Sequence, residues 1–272
     1  MDGLYHVSWA LDAALPQKIA NQRADLLTAA NLGLNLMAVS HLGDLKATGR
    51  LLDLAASRGM MLIIEDLSPT EAKSLSVKPA FLAHAVMDDA NRKTVEQVQA
   101  ACTASTVMPR YASIGPGFAD DCARYYGLPD GMGVQSYTYP DESLATSLSI
   151  WQTARRNADA AGVRLIANTQ LHDAYGGAPS AEWIRAQTWV AAAAGCDDIL
   201  GYTMLDQGGA LSKPLLTAFA AACAEVRSLT SGRATCTVTN DQLTATWPAG
   251  VSVVIDLSKG RVLSLKRRKE KS

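Results

Sequence analysis

The chain has 272 residues, 48% of them hydrophobic and 19% charged, which is enough apolar chain to bury a sizeable core and too much for a disordered protein. Its 25 basic and 26 acidic residues give a formal net charge of −1, so no nucleic-acid partner is expected. No apolar run reaches the roughly 20 residues of a membrane span, and Met1–His6 has neither the basic flank nor the apolar stretch of a signal peptide, so no membrane partner and synthesis in the cytoplasm are expected.

In chain order, short apolar runs of β character fall at Tyr5–Leu11, Leu34–Ser40, Met61–Leu67, Phe81–Met87, Arg110–Ile114, Gly133–Tyr139, Arg164–Gln170 and Asp198–Leu205. Helical patterns lie between them. Gln17–Asn31 follows Pro16, Leu45–Arg58 stops at Gly59, and Asn91–Ser105 comes next. Ser143–Ala161 stops at Gly162, Ala181–Ala194 begins after Ser180, and Lys213–Leu229 closes the series. Two short slots, Pro69–Val77 and Phe118–Tyr126, complete eight strand–helix beats. Eight such beats predict an α/β fold, a (β/α)8 TIM barrel over residues 1–230. The rival, a doubly wound open sheet, would want a glycine-rich phosphate loop after its first strand, where the chain instead reads Ala10-Leu11-Asp12-Ala13-Ala14.

Beyond Ser231 the pattern changes to short alternating strands at Ala234–Thr239, Gln242–Trp247, Val251–Asp256 and Arg261–Leu265, separated by turns. They predict a small antiparallel β appendage over 231–265, too small to stand alone and therefore packed on the barrel. Residues 266–272 read as a solvated basic tail. The five cysteines are scattered, without a CxxC pair, and are expected as small buried hydrophobes. His6, His41, His84 and His172 form no metal-binding spacing, so neither a metal nor an organic cofactor is expected.

In a barrel of this kind, chemistry sits where the strands end. Those ends supply Trp9 and Asp12, His41, Glu65 and Asp66, then Asp88, Asp89 and Asn91. The later strands supply Tyr137, Tyr139, Asp141 and Glu142, then Gln170, His172 and Asp173, and finally Asp206 and Gln207. Carboxylates mixed with aromatic rings suit a carbohydrate, whose hydroxyls want acceptors and whose C–H faces want flat rings. Glycosidic cleavage wants two carboxyl groups, one protonated to assist the leaving oxygen. The bland readings are that Asp88 or Asp89 caps the following helix, that Glu65 and Asp66 pair with arginines, and that Asp206 is a turn residue. Trp183 and Trp189 are expected in the core, and only one of the pairs Tyr137/Tyr139 and Ser136/Thr138 can face the mouth.

Three segments resemble the glycoside-hydrolase superfamily of TIM barrels. Ala83-His84-Ala85-Val86-Met87-Asp88-Asp89-Ala90-Asn91 is similar to the Asp-Glu-Pro-Asn/Asp strand-four end, and Gly133-Val134-Gln135-Ser136-Tyr137-Thr138-Tyr139-Pro140 to the strand-six Gly-x-Asp-x-Tyr-Pro. Asn168-Thr169-Gln170, then Pro179-Ser180-Ala181-Glu182-Trp183-Ile184-Arg185-Ala186-Gln187, then Gly201-Tyr202 resemble the stretch from strand seven to strand eight. The resemblance implies a barrel that binds and hydrolyses an oligo- or polysaccharide. Asp89 would be the general acid helped by Asp88, with Asp206 or Glu65 as the second carboxylate. Trp9, His41, Tyr139, Gln170, His172 and Asp173 would form the sugar platform and its hydrogen-bonding walls. Two departures stand out: the usual acid/base Glu is Asp89, and no Glu closes strand seven, where a retaining nucleophile often sits. The alternative expectation is therefore a catalytically degenerate barrel serving as a glycan-binding or structural module with protein partners, for example in a phage virion or tail.

Overall fold

The structure, a computed structural model, describes residues 1–7, 12–115, 122–172, 178–206 and 209–267, with 205–206 and 209–210 described by backbone alone. Trp9, Asp173 and the side chain of Asp206 therefore lie outside the described residues.

Eight parallel strands close into a barrel: β1 (Asp2–His6), β2 (Leu36–Ser40), β3 (Met61–Glu65), β4 (Phe81–Met87), β5 (Arg110–Ile114), β6 (Gly131–Ser136), β7 (Arg164–Gln170) and β8 (Asp198–Asp206). Each pairs with its neighbours in sequence, and β1 pairs with β8 to complete the ring. A two-residue strand, β9 (Gly209–Ala210), folds back antiparallel on the end of β8. The TIM barrel expected from the sequence is the fold observed.

The helices are α1 (Leu15–Asn31), α2 (Leu45–Ser57), α3 (Pro69–Leu75), α4 (Val95–Ala104), α5 (Leu144–Ala161), α6 (Ala181–Ala193) and α7 (Lys213–Leu229). Local chemistry accounts for their starts. Asp44 caps α2, Ser68 and Thr94 close capping boxes with Glu71 and Gln97, and Ser143 and Ser180 cap α5 and α6. The fifth slot differs from expectation. Of its described part, Ala123–Tyr125 makes a single 3-10 turn, and Gly127, in the left-handed region at φ 86°, lies two residues on.

Two apolar layers result. Trp151, Trp189, Phe219 and Leu52 belong to the layer between helices and barrel, with the Trp151 indole donating to the Val134 carbonyl at 3.0 Å. Inside the ring, Leu36, Ala38, Ile63, Ala83, Ile166 and Leu200 pack with Tyr5 and Tyr111. The phenols of those two tyrosines lie 2.5 Å apart, and the Asn168 amide bonds both, at 3.3 and 3.2 Å. Gly133 makes room for this polar plug, since a Cβ there would lie 1.9 Å from the Tyr111 hydroxyl.

The base of the barrel is sealed by ion pairs. Arg110 of β5 meets Asp130 at 2.9 Å, Arg164 of β7 grips Asp198 of β8, and Arg227 of α7 reaches Asp2 of β1 at 2.5 Å.

The appendage is a four-stranded antiparallel sheet: β10 (Thr235–Thr239), β11 (Gln242–Thr246), β12 (Val251–Asp256) and β13 (Arg261–Arg267). Lys266 and Arg267 belong to β13 rather than to a tail, because they pair with Ser252 and Val251. Leu243, Ala245, Val253 and Ile255 form a buried face that belongs to the same core as the α-helices. Trp247 meets Trp189 of α6 edge to face at 5.4 Å. No disulfide joins any of the five cysteines, and Cys102, Cys122 and Cys223 are buried. Among the described residues, no helix is long and apolar enough to cross a membrane.

Candidate functional site

Period-two alternation carries the inward face of each strand up to the mouth, where apolar side chains give way to polar ones: Ile63 to Glu65, Tyr111 to Ser113, Gly133 to Gln135, Ile166 to Asn168. Glu65 is half-buried, and its carboxyl accepts no hydrogen bond from any described residue. Burial, reinforced by the charges of Asp88 and then Asp66, raises its pKa from 4.5 to about 8. A carboxyl in that state carries a proton at neutral pH and has an acceptor's or donor's capacity to spare.

Asp88 stands just past β4 and accepts a hydrogen bond from the Ser113 hydroxyl. Burial raises its pKa most, Asp89 adds to the rise, and Ser113 opposes it. Asp89 follows in the left-handed region at φ 46°. Its backbone N–H donates to Ser113 Oγ at 3.2 Å, one carboxylate oxygen accepts from Gln135 Nε2 at 3.0 Å, and the other faces Arg92 Nε at 3.2 Å. Neither aspartate caps the following helix, since Thr94 does so. Asn91 Oδ1 instead accepts from the Gly115 N–H at 2.6 Å. The β4 end is thereby stitched to β5 and β6 through Ser113, Gln135 and Asn91.

Opposite stands an aromatic wall. Tyr137 and Tyr202 lie 5.5 Å apart, and His172 packs edge-on against both, at 5.4 and 4.9 Å. Burial, then Tyr202, Asp88, Tyr111 and Asp89, keeps the Tyr137 phenol far from ionising. Ser136 and Thr138 point the other way and bond to Ser147 of α5, at 2.9 and 3.0 Å. It is thus the Tyr137 side of β6 that meets the mouth.

Several expected residues have other partners. The Gln170 amide is fully buried and committed: its Oε1 accepts from the Tyr139 N–H at 2.9 Å, and its Nε2 donates to the Tyr139 carbonyl at 2.9 Å and the His172 carbonyl at 3.3 Å. It clamps two loops together instead of presenting hydrogen bonds to the mouth. His41 turns toward the helices, with Nδ1 2.8 Å from Thr48 Oγ1 and Nε2 3.5 Å from a Glu71 oxygen, although its charge still lowers the Asp66 pKa against the rise caused by burial. Tyr139 is half-buried with its ring on Trp183 at 5.1 Å. Glu65 has no arginine partner among the described residues. Ser113, Gln135 and Tyr202 complete the site without having been singled out. Their signal was a polar or aromatic side chain two positions beyond an inward-facing apolar one.

The site as built unites Glu65, Asp88 and Asp89 with Ser113 and Gln135 on one side and Tyr137, Tyr202 and His172 on the other. It gathers a glutamic acid that keeps its proton at neutral pH and two aspartates beside aromatic faces. No group of three or more metal-ligating side chains occurs among the described residues.

No known family profile matches the chain, and no curated protein matches it in sequence. Solved structures do match in fold. A GH30 endoxylanase from Clostridium papyrosolvens C71 superposes with a TM-score of 0.57 at 10% identity, covering 94% of this chain and 80% of that one. An endo-beta-1,4-mannanase from Thermotoga petrophila gives 0.56 at 10% identity, covering 97% and 84%. Saccharomyces cerevisiae Gas2p, in complex with laminaritriose and laminaritetraose, gives 0.55 at 11% identity, covering 82% of this chain and 63% of Gas2p. The chain therefore shares the TIM-barrel fold of these structures.

Proposed function

We propose that the barrel mouth binds an oligo- or polysaccharide and cleaves a glycosidic bond, with Glu65 as proton donor and Asp88 as the second carboxylate. The observation that carries this reading is the pairing of Glu65, protonated near neutrality and not hydrogen-bonded to any described residue, with Asp88, whose charge helps to hold that proton in place. As the C–O bond breaks, the Glu65 proton passes to the leaving oxygen. Asp88 answers the positive charge growing at the anomeric carbon, by direct attack or through a water. The acid role expected of Asp89 passes to Glu65 because both Asp89 oxygens are occupied, by Gln135 and Arg92. Tyr137 and Tyr202 offer ring faces to the sugar.

A second reading is favoured by Gln170. Where the resembling family often carries its nucleophile, this chain has an amide spent on holding Tyr139, an arrangement compatible with a glycan-binding or structural module, for instance in a virion. The test is hydrolysis across β-linked xylan, mannan and laminari-oligosaccharides, the saccharides named with the structural neighbours, together with bacterial surface polysaccharides. Turnover by wild type that is lost in Glu65→Gln supports the enzyme. Glycan binding without turnover on the panel moves the conclusion to the binding module, and neither binding nor turnover overturns both.

A further inference from the structure

The turn between β12 and β13 does not end in solvent. Asp256 pins it, accepting from the Ser258 hydroxyl at 2.8 Å and the Lys259 N–H at 3.0 Å, and Gly260 is buried at φ 59°. The backbone of Gly260 lies against the Trp183 ring, so close that a Cβ would fall 2.0 Å from the indole. Trp183 stands in the first turn of α6, at the mouth end of the barrel, and it also meets Tyr139, edge to face at 5.1 Å. The same turn also reaches the β6–α5 connection directly, because Leu257 accepts from the Leu144 N–H at 3.0 Å. Tyr139 is therefore held from two directions, by the Gln170 amide on its backbone and by a Trp183 ring that Gly260 backs.

We propose that the C-terminal sheet is a wall of the saccharide cleft and not a separate module, and that Gly260, through Trp183, positions Tyr139 as a sugar-contacting ring at the edge of the mouth. This rests on the reading of the mouth as a saccharide site. The physical reason is rigidity: a half-exposed tyrosine can serve as a platform only if its ring is fixed before the sugar arrives, since ordering it on binding would cost affinity. Close packing passes a displacement of the glycine on to the tyrosine, because the buried indole is in contact with both.

The experiment uses the full chain and has two readouts. Hydrogen exchange at the Tyr139 amide, bonded to Gln170, is compared in wild type, Gly260→Ala and Val253→Ala, the last a core change in the same sheet that lowers stability without touching Trp183. Saccharide affinity and kcat are then measured with whichever saccharide from the panel binds wild type. Gly260→Ala is expected to speed exchange at Tyr139 at least tenfold more than Val253→Ala does at matched stability. It is also expected to weaken affinity roughly two- to tenfold, the range of one aromatic contact, with kcat within about twofold. Tyr139→Ala should weaken affinity similarly, and the double variant should be no worse than either single one. If Gly260→Ala does not fold, Trp183→Leu carries the same comparison. Exchange at Tyr139 no faster than in Val253→Ala overturns the inference whatever the saccharide assay shows, as does an additive double variant. Faster exchange in a protein that binds no saccharide confirms the Gly260–Tyr139 link but overturns the saccharide reading, and with it the role of the sheet as a cleft wall.

Discussion

The two ends of the barrel treat their carboxylates in opposite ways. At the base, Asp130, Asp198 and Asp2 face Arg110, Arg164 and Arg227. Arg110 wins over burial at Asp130 and holds that carboxyl below its ordinary pKa, whereas at Asp2 burial still outweighs Arg227 and raises the pKa. At the mouth, neither Glu65 nor Asp88 has an ion-pair partner among the described residues, and each is pushed up by burial and by a carboxylate neighbour, with Arg92 only partly opposing the rise at Asp88. Folding alone would favour the base's solution at both ends. Leaving the mouth unmatched costs stability, and what it preserves is a carboxyl that keeps its proton at neutral pH.

Single substitutions can break this contrast. The largest expected effect is on turnover: Glu65→Gln should lower kcat about 10²- to 10⁴-fold while saccharide binding persists, measured by steady-state kinetics and calorimetry on the same preparation. An unchanged kcat would return the acid role to Asp89. At the base, Asp198→Ala should instead cost stability, roughly 2–3 kcal/mol by urea unfolding, below the usual figure for a buried pair because Arg164 is half exposed. Turnover by the folded fraction should be unaffected.

Gln170→Glu sharpens the contrast from the other side of the mouth. A carboxylate there would face the Tyr139 and His172 carbonyls with no N–H to offer, so a loss of about 1–3 kcal/mol is expected, largest at high pH where the new group must ionise. A variant as stable as wild type would mean that the clamp is dispensable.

A further effect concerns the pH dependence of stability. The folded-state pKa of Glu65, about 8, lies above the unfolded value near 4.5, so its protonation favours the folded state. That contribution is complete below about pH 4.5 and is lost as pH rises through 8. Glu65→Gln removes the titration. Its Tm relative to wild type should therefore climb by a few degrees between pH 5 and pH 9, and a flat difference would show that Glu65 ionises freely. Wild-type turnover should fall over the same upper range as the acid loses its proton.

How much of this was legible beforehand varies with the element. The runs Phe81–Met87, Arg110–Ile114 and Arg164–Gln170 could be bounded to the residue, and Met61–Leu67 overran its strand by two, because strands buried on both faces read as continuous apolar stretches. The first strand was placed too late. It begins at Asp2, whose partner Arg227 lies 225 residues away, and no local window contains that contact. Of the site, Glu65, Asp88 and Asp89 could be named from strand-end position alone. Their roles could not, since a carboxyl's protonation depends on which other charges the closed barrel brings near it. Gln170 shows the same limit: its place at the end of β7 was readable, while its engagement with Tyr139 belongs to a different strand's loop.

The sequence by itself determined the eight-beat barrel, the four-stranded appendage and the ring of acidic strand ends, because periodicity, capping residues and strand-end position are local properties. The tertiary structure decided which carboxylate carries the proton, which expected sugar contacts are instead structural clamps, and how the C-terminal sheet comes to back Tyr139. Those depend on desolvation, charge pairing and close packing between residues far apart in the chain, which exist only once the ring has closed.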